Sequence, residues 1–582
     1  MPVRAVQLIE QEPRLFPSQI DTELENCTEV CKYDKKKLKT FLIAEGITSI
    51  AEMDYLLRKR FEQYLLEEQH LKKIDRYILA YDRVKQYSLH QQMQTLSGRT
   101  RCQWKLENKV LFIPYHPDQT LAMEFDTVRN RKNMVWDFAK PCASVLKNQI
   151  FITLNAVLSQ FKELRKREQR LSGLQYLYHF CAESGIEDIE KMEQKQVEEF
   201  ESYLEQHTDS ESRRMLLLPI LGYCRETVFL QNETIHWDAN IWYLERMRLP
   251  EHRVNPSSAF VTVSFIEITM PENRRYAQEF MKYQIGITGQ SVSTMVIKFG
   301  GIKQFLIWLC KRKESACSCS EEQIDRYLQE IQERGIIPKT FNEYVTGLSQ
   351  FYHFMTVRGY MERMPFHPEY YIKKVIRRHH DRSVSPEICT ELLGLLHLLP
   401  EHLRCMYLHL WCLGLRISEV CTLKGNSYYK KDDETWIQLY QTKMKTYKRI
   451  PIAEGLYKIM QVYIRRNNIG PDEYLFKNKN GGAYLTQTFR ERMKKFCKEQ
   501  GIAEGEYLFQ THDYRHTVAT FFYESGASLQ SVRDYLGHSY QEMTEQYIDY
   551  VPQKIAKAND EYFKQPGNNL AVGLRKGGKR GR

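Results

Sequence analysis

The sequence predicts a mainly α, multi-domain chain ending in an α+β region of helices and a small antiparallel sheet. Amphipathic helical patterns dominate and alternating stretches are few. At 582 residues the chain is longer than one hydrophobic core encloses. The two clear alternating runs, TWIQLY (435–440) and RIPI (449–452), lie close together, as the strands of one hairpin do.

Composition sets bounds before any element is read. The chain is 42% hydrophobic and 27% charged, the balance of folded globular material. Lys and Arg exceed Asp and Glu by 84 to 73, a net +11 that permits a polyanionic partner. Fourteen cysteines lie at irregular positions, with Cys27/Cys31 and Cys317/Cys319 the close pairs, and they read as reduced thiols. No apolar run is expected to reach the ~18–20 residues that span a bilayer. The N-terminus, MPVRAVQLIEQEPRLF, lacks the apolar stretch of a signal peptide. These points predict a soluble intracellular protein with no membrane contact.

Along the chain one form recurs, at 38–65, 174–204 and 302–328: an apolar helix, a polar or small-residue break, and a charged helix ending in Tyr-Leu. The closing pairs are Tyr64-Leu65, Tyr203-Leu204 and Tyr327-Leu328, a domain-sized spacing. It predicts a helical module at 1–140, a degenerate repeat of it at 141–265, and a third at 266–372. The alternative is that amphipathic helices in a Tyr-rich chain look alike.

A basic linker follows at 373–384, with Lys373, Lys374, Arg377, Arg378 and Arg382. Such a run is either solvated or a strap along a phosphate backbone. Ser385-Pro386-Glu387 then supplies an N-cap, a proline at the first helical position and an acidic first turn. Leu403, Met406, Tyr407, Leu410 and Trp411 share one helical face until Gly414, and a short helix begins near Arg416. The hairpin comes next, joined by the lysine-rich QTKMKTYK. Helices are expected at 455–466 and 486–500, and at SLQSVRDYLG, where Leu529, Val532 and Leu536 precede Gly537. The chain closes with GLRKGGKRGR, in a basic tail (565–582) read as disordered.

Chemistry concentrates in Thr511–Tyr550, which holds His512, Arg515, His516, Arg533, His538 and several tyrosines. One or two of these side chains could cap helices. A metal reading has His512 and His516 at i, i+4 with His538 as third ligand. Against it, Asp513 stands where the H-E-x-x-H base would be, and Arg515 sets a fixed positive charge beside the cation. Phosphate chemistry fits all of them. Arginine forks hold phosphate oxygens, histidine donates or moves protons, and a tyrosine oxygen can be the nucleophile.

GLRISEV (414–420), HDYRH (512–516), LGH (536–538) and a tyrosine nine residues past that histidine resemble the tyrosine recombinase family, the phage-type integrases. The resemblance covers residues 383–550. It implies a catalytic domain of the DNA breaking–rejoining fold at 385–564, with SAM-like helical core-binding domains before it. Arg416, Lys443, His512, Arg515, His538 and Tyr547 would be catalytic, with Glu419 a structural neighbour of Arg416. Lys443 follows from the family's count of eight residues before the proline of the second strand, here Pro451, and Lys445 is its rival. Tyr540 and Tyr550 are the rivals of Tyr547.

The implied function is site-specific DNA recombination through a 3′-phosphotyrosyl intermediate, with no metal, cofactor or ATP. The implied partners are double-stranded DNA, further copies of the chain in a tetrameric synapse of two sites, and element-encoded accessory proteins. The length beyond compact family members suggests a large transposon or integrative-element enzyme in the bacterial cytoplasm, associated with the nucleoid. The alternatives are a type IB topoisomerase-like enzyme and a catalytically silent DNA-binding accessory protein. A phosphate loop is rejected. Gly573–Lys579 fits G-x4-G-K, but Arg580 replaces the Ser/Thr, and neither a strand nor a helix flanks it.

Overall fold

The structure is a computed structural model that describes residues 19–537, apart from 103, 108, 126–130, 259 and 377–381. The chain divides into two compact units, Met1–Arg246 and Met247–Arg582.

Among the described residues, the first unit has two hydrophobic cores. One gathers Leu38, Phe41, Leu42, Leu57, Phe61, Leu65 and Tyr81. The other gathers Trp136, Phe138, Ile150, Leu174, Phe200, Leu204 and Val228. Each contains a helix, a 3-10 turn and two further helices in that order. A segment is added before the last helix, Tyr64–Glu68 in the first and helix Glu211–Leu217 in the second. The order runs through Lys32–Ala44, Ile50–Glu52, Tyr55–Gln63 and Asp75–Met93 in the first. In the second it runs through Leu164–Glu183, Ile189–Lys191, Gln194–His207 and Ile220–Gln231. Gly46 and Gly185 take left-handed backbone (φ 74° and 67°) where the leading helix stops. Leu65 and Leu204 are fully buried, so each Tyr-Leu pair marks where its helix meets the core.

In the second unit, after helix Pro271–Gly286, a like order runs through Val292–Arg312, Ala316–Ser318, Glu321–Glu333 and Pro338–Val357. Here Lys313 (φ 58°) does the work of the glycine. Val292–Arg312 corrects one expectation, because by length and composition this helix is apolar enough to cross a membrane. Its Met295, Phe299, Ile302, Phe305, Leu306 and Leu309 are buried, as in a core helix. All fourteen cysteines are free thiols.

From Val384 a separate core begins, built on Leu403, Met406, Tyr407, Leu410, Ile437, Ile450, Phe489 and Tyr514. Helix Pro386–Leu395 starts as expected, with Ser385 accepting a hydrogen bond from the Ile388 amide. In helix Glu401–Leu413 four of the five face residues are buried, while Trp411 is 37% exposed. Trp411 follows directly on Leu410, and the 100° step between neighbours turns it toward the rim of that face.

The sheet has three antiparallel strands, Tyr428–Lys431, Glu434–Gln441 and Thr446–Pro451, in sequential order. The first strand, YYKK, carries no apolar alternation, so the sequence reading missed it. Its turn into the second strand uses Asp432 and Asp433 at positive φ. In the second hairpin Ile437 faces Ile450, Leu439 faces Lys448 and Gln441 faces Thr446. Helices Glu454–Arg466, Thr486–Glu499, Asp513–Glu524 and Leu529–Leu536 complete the described fold. The basic tail at 565–582 lies outside the described residues.

Candidate active site

The site is built around the turn at Gly414. Helix Glu401–Leu413 ends at Gly414, whose φ is 57°. A Cβ added at Gly414 would meet the Val518 side chain at 3.0 to 3.4 Å, so glycine is what lets helix Asp513–Glu524 approach this turn. Two residues later Arg416 occupies the N-cap of the short helix Ile417–Cys421. Arg515, in the first turn of the approaching helix, is fully buried. Its Nη1 donates to the Gly414 carbonyl at 3.0 Å and its Nη2 to the Leu536 carbonyl at 2.5 Å. One guanidinium therefore ties the arginine turn, its own helix and the end of helix Leu529–Leu536 together.

Glu419 is the hub of the other half. Its Oε2 accepts from the Arg416 amide, and its Oε1 from Arg416 Nη1 and Gln441 Nε2, each at 2.9 Å. Burial works to raise the pKa of this carboxyl, but Arg416, Arg515 and Lys448 overcome it and hold the pKa below the usual carboxylate range. Glu419 is therefore ionised and orients Arg416. Gln441, buried at the end of the middle strand, also backs Gly537, where a Cβ would stand 2.6 Å from Gln441 Oε1.

His512 occupies the N-cap position of helix Asp513–Glu524 without a side-chain cap hydrogen bond, its ring 5.5 Å from that of His516 at a steep angle. Desolvation lowers the His512 pKa to about 4, helped by the charges of Arg515, Arg416, Arg382 and Lys443. His516 is lowered to about 3, again first by desolvation, then by His512, Arg382 and Arg515. Both imidazoles are neutral at physiological pH. Burial leads in both shifts, and the charges of Arg416, Arg515, Arg382 and Lys443 that add to it at His512 make the centre electropositive, which suits an anion.

The structure thus brings Arg416, Arg515 and His512 together. Lys443 is exposed on the hairpin turn, with its charge reaching His512. Lys445 is exposed on the same turn at φ 56°. His538 and Tyr547 lie outside the described residues, as do Tyr540, Tyr550, Arg377 and Arg378.

Of the remaining linker residues, Lys373 is held by reciprocal backbone hydrogen bonds with the Asn342 side chain, its ammonium 4.0 Å from the Phe341 ring. Lys374 is exposed. Arg382 is exposed, and its field acts on His512, Asp513 and His516. The chain just after it is fastened to the same helix by the Val384 amide, which donates to Thr517 Oγ1 at 2.8 Å.

Sequence reasoning missed Gln441 and Lys448, both buried beneath the arginines. The signal was present in the strand period. Ile437, Leu439 and Gln441 alternate inward on one strand, and Lys448 and Ile450 do so on its partner.

The model of the phage integrase family matches residues 385–554. Transposase B from transposon PsiTn554 of Staphylococcus aureus is 29% identical over 323 residues, covering 53% of this chain and 51% of the transposase. The chain thus spans about half the length of that relative. A tyrosine recombinase of Pseudothermotoga lettingae is 25% identical over 284 residues, 48% of this chain and 95% of that protein. The crystal structure of the XerH site-specific recombinase bound to palindromic difH substrate is 14% identical, with a TM-score of 0.40, covering 52% of this chain and 92% of that one. Residues 385–554 form a domain of the phage integrase family, the tyrosine recombinases.

Proposed function

We propose that this chain is a site-specific DNA recombinase of a mobile element, cleaving and rejoining DNA through a 3′-phosphotyrosyl intermediate. The observation that carries the reading is the convergence of Arg416, Arg515 and neutral His512 on one electropositive centre, with Glu419 orienting the first arginine. Two permanently charged guanidiniums stabilise the added negative charge of a pentavalent phosphoryl transition state. The Tyr547 oxygen attacks phosphorus, a phosphotyrosyl bond forms, and the bond to the 5′ oxygen breaks. Lys443, on the adjoining turn, gives that oxygen its proton. His512 and His538 donate to the nonbridging oxygens or take the phenol proton. One phosphodiester replaces another, so the reaction needs no nucleotide energy source. The reaction assigns no step to a metal.

The partner is double-stranded DNA, held between the catalytic domain and the helical module before it, with Lys373, Lys374, Arg377, Arg378 and Arg382 along its backbone. Further copies of the chain assemble on two sites, with accessory proteins of the element, in the bacterial cytoplasm at the nucleoid. The likeness to a transposon-encoded transposase supports the mobile-element role.

The test is covalent trapping on a nicked duplex made from the DNA that flanks the gene. Tyr547→Phe is expected to bind this duplex like the wild type and to trap no covalent complex. Loss of trapping in Tyr550→Phe, with trapping retained in Tyr547→Phe, overturns the assignment of the nucleophile.

A further inference from the structure

Lys448 stands behind the arginine centre. It lies on the third strand opposite Leu439, on the inward face next to Ile450, and is 6% exposed. Its Nζ is sealed from solvent and has no hydrogen-bond partner among the described residues. By contrast, the equally buried Lys85 donates to the Ala51 carbonyl at 3.2 Å. A buried ammonium without an acceptor is costly, and hydrophobic packing alone would favour an apolar side chain here.

Among the described residues, three elements face this amine with charged or titratable groups. The short helix presents Glu419 and Arg416, helix Asp513–Glu524 presents Arg515, and helix Leu529–Leu536 presents the Tyr535 ring at 5.3 Å. Burial lowers the Lys448 pKa to about 7, with Glu419 opposing the fall and Arg515 and Arg416 adding to it. Near neutral pH the amine is therefore divided between its charged and uncharged forms.

We propose that Lys448 is a positioning residue of the arginine centre, taking up a proton from solvent when Arg416 and Arg515 engage a DNA phosphate. This rests on the recombinase reading above. A phosphate brought to the two guanidiniums cancels the repulsion they exert on the amine, so the charged form gains. The new ammonium competes with Arg416 Nη1 for Glu419 Oε1, which turns that edge of the guanidinium toward the phosphate. No covalent bond changes. The proton enters with the DNA and leaves with it.

The experiment measures affinity for a mixed-sequence DNA duplex at constant ionic strength between pH 6.5 and 8.5, using the full-length wild-type chain, Lys448→Arg and Lys448→Met. Wild-type affinity is expected to fall as pH rises, approaching about tenfold per pH unit if one whole proton is linked. Lys448→Arg, permanently charged, is expected to bind as tightly at pH 8.5 as at 6.5. Lys448→Met is expected to lose the same pH dependence and to bind more weakly throughout. A Lys448→Arg chain that keeps the wild-type pH dependence overturns the inference, because the proton then sits elsewhere, with His512 the first alternative. Should Lys448→Met fail to fold, Lys448→Arg decides alone. A wild-type chain that binds with pH-independent affinity overturns this inference only. One that does not bind the duplex at all overturns the recombinase reading and this inference with it.

Discussion

His409, His512 and His516 share one electrostatic situation, and it fixes how this chain responds to acid. His409 is fully enclosed, its Nδ1 2.6 Å from the Cys405 carbonyl and its Nε2 against the Tyr428 hydroxyl, and burial lowers its pKa to about 4. In the unfolded chain each histidine returns to about 6.5. Between those values the unfolded state binds more protons, so stability is intact above pH 6.5 and falls as pH drops toward 4. We expect the urea midpoint to decline across that window. In His409→Gln the decline should be shallower, by up to ~1.4 kcal/mol per pH unit for one such group. An unchanged slope would remove His409 from the acid response. Arg416, His512 and Arg515 were legible in the sequence because their chemistry travels with fixed motif spacing. Lys448 was not, because Lys443, Lys445 and Lys448 share one short hairpin and only strand phase separates a sealed amine from exposed ones.

Elements were legible where a local device announces them. Ser385-Pro386, Gly414 and Gly537 each bound a helix as expected, the two glycines in left-handed backbone. The first strand was not legible, because four residues without alternation become a strand only by pairing with Glu434–Gln441. The packing of Gly414 against Val518 could not be read either, since 104 positions separate them in the chain. Gly414→Ala forces alanine into left-handed backbone and presses its Cβ on Val518, and should cost about 1–3 kcal/mol of stability. It should also weaken the hold on Arg515, which donates to the Gly414 carbonyl. Adding Val518→Ala removes the clash but not the backbone strain, so the double variant should recover part of the loss in thermal denaturation. Full additivity of the two substitutions would show that the helices do not meet there as described.

A self-sufficient fragment of this chain has to begin ahead of residue 266. The second compact unit starts at Met247, ahead of the helical module that opens at Pro271. The residues between are anchored within that unit. Arg253 is buried and donates to the carbonyls of Gln290, Ile285 and Gln284 at 2.9, 2.8 and 3.2 Å. The fully buried Ser257 accepts from the Thr486 amide at 3.0 Å, which joins this segment to the domain at 385–554. A fragment from 266 lacks both anchors and leaves buried carbonyls without donors, at about 1–3 kcal/mol for each one left unsatisfied. We therefore expect fragment 247–582 to unfold in one cooperative transition and to form the phosphotyrosyl link on a nicked duplex. Fragment 266–582 should melt several degrees lower and form less of that link. The first unit carries the acidic helix Gln194–His207, whose charge repels phosphate and suits contacts with protein. Without that unit, fragment 247–582 should cleave yet fail to pair two sites, so recombinant joints disappear while covalent complex persists. Equal melting of the two fragments would detach residues 247–265 from the catalytic fold. Recombination by fragment 247–582 at the full-length rate would leave the first unit with a task outside synapsis.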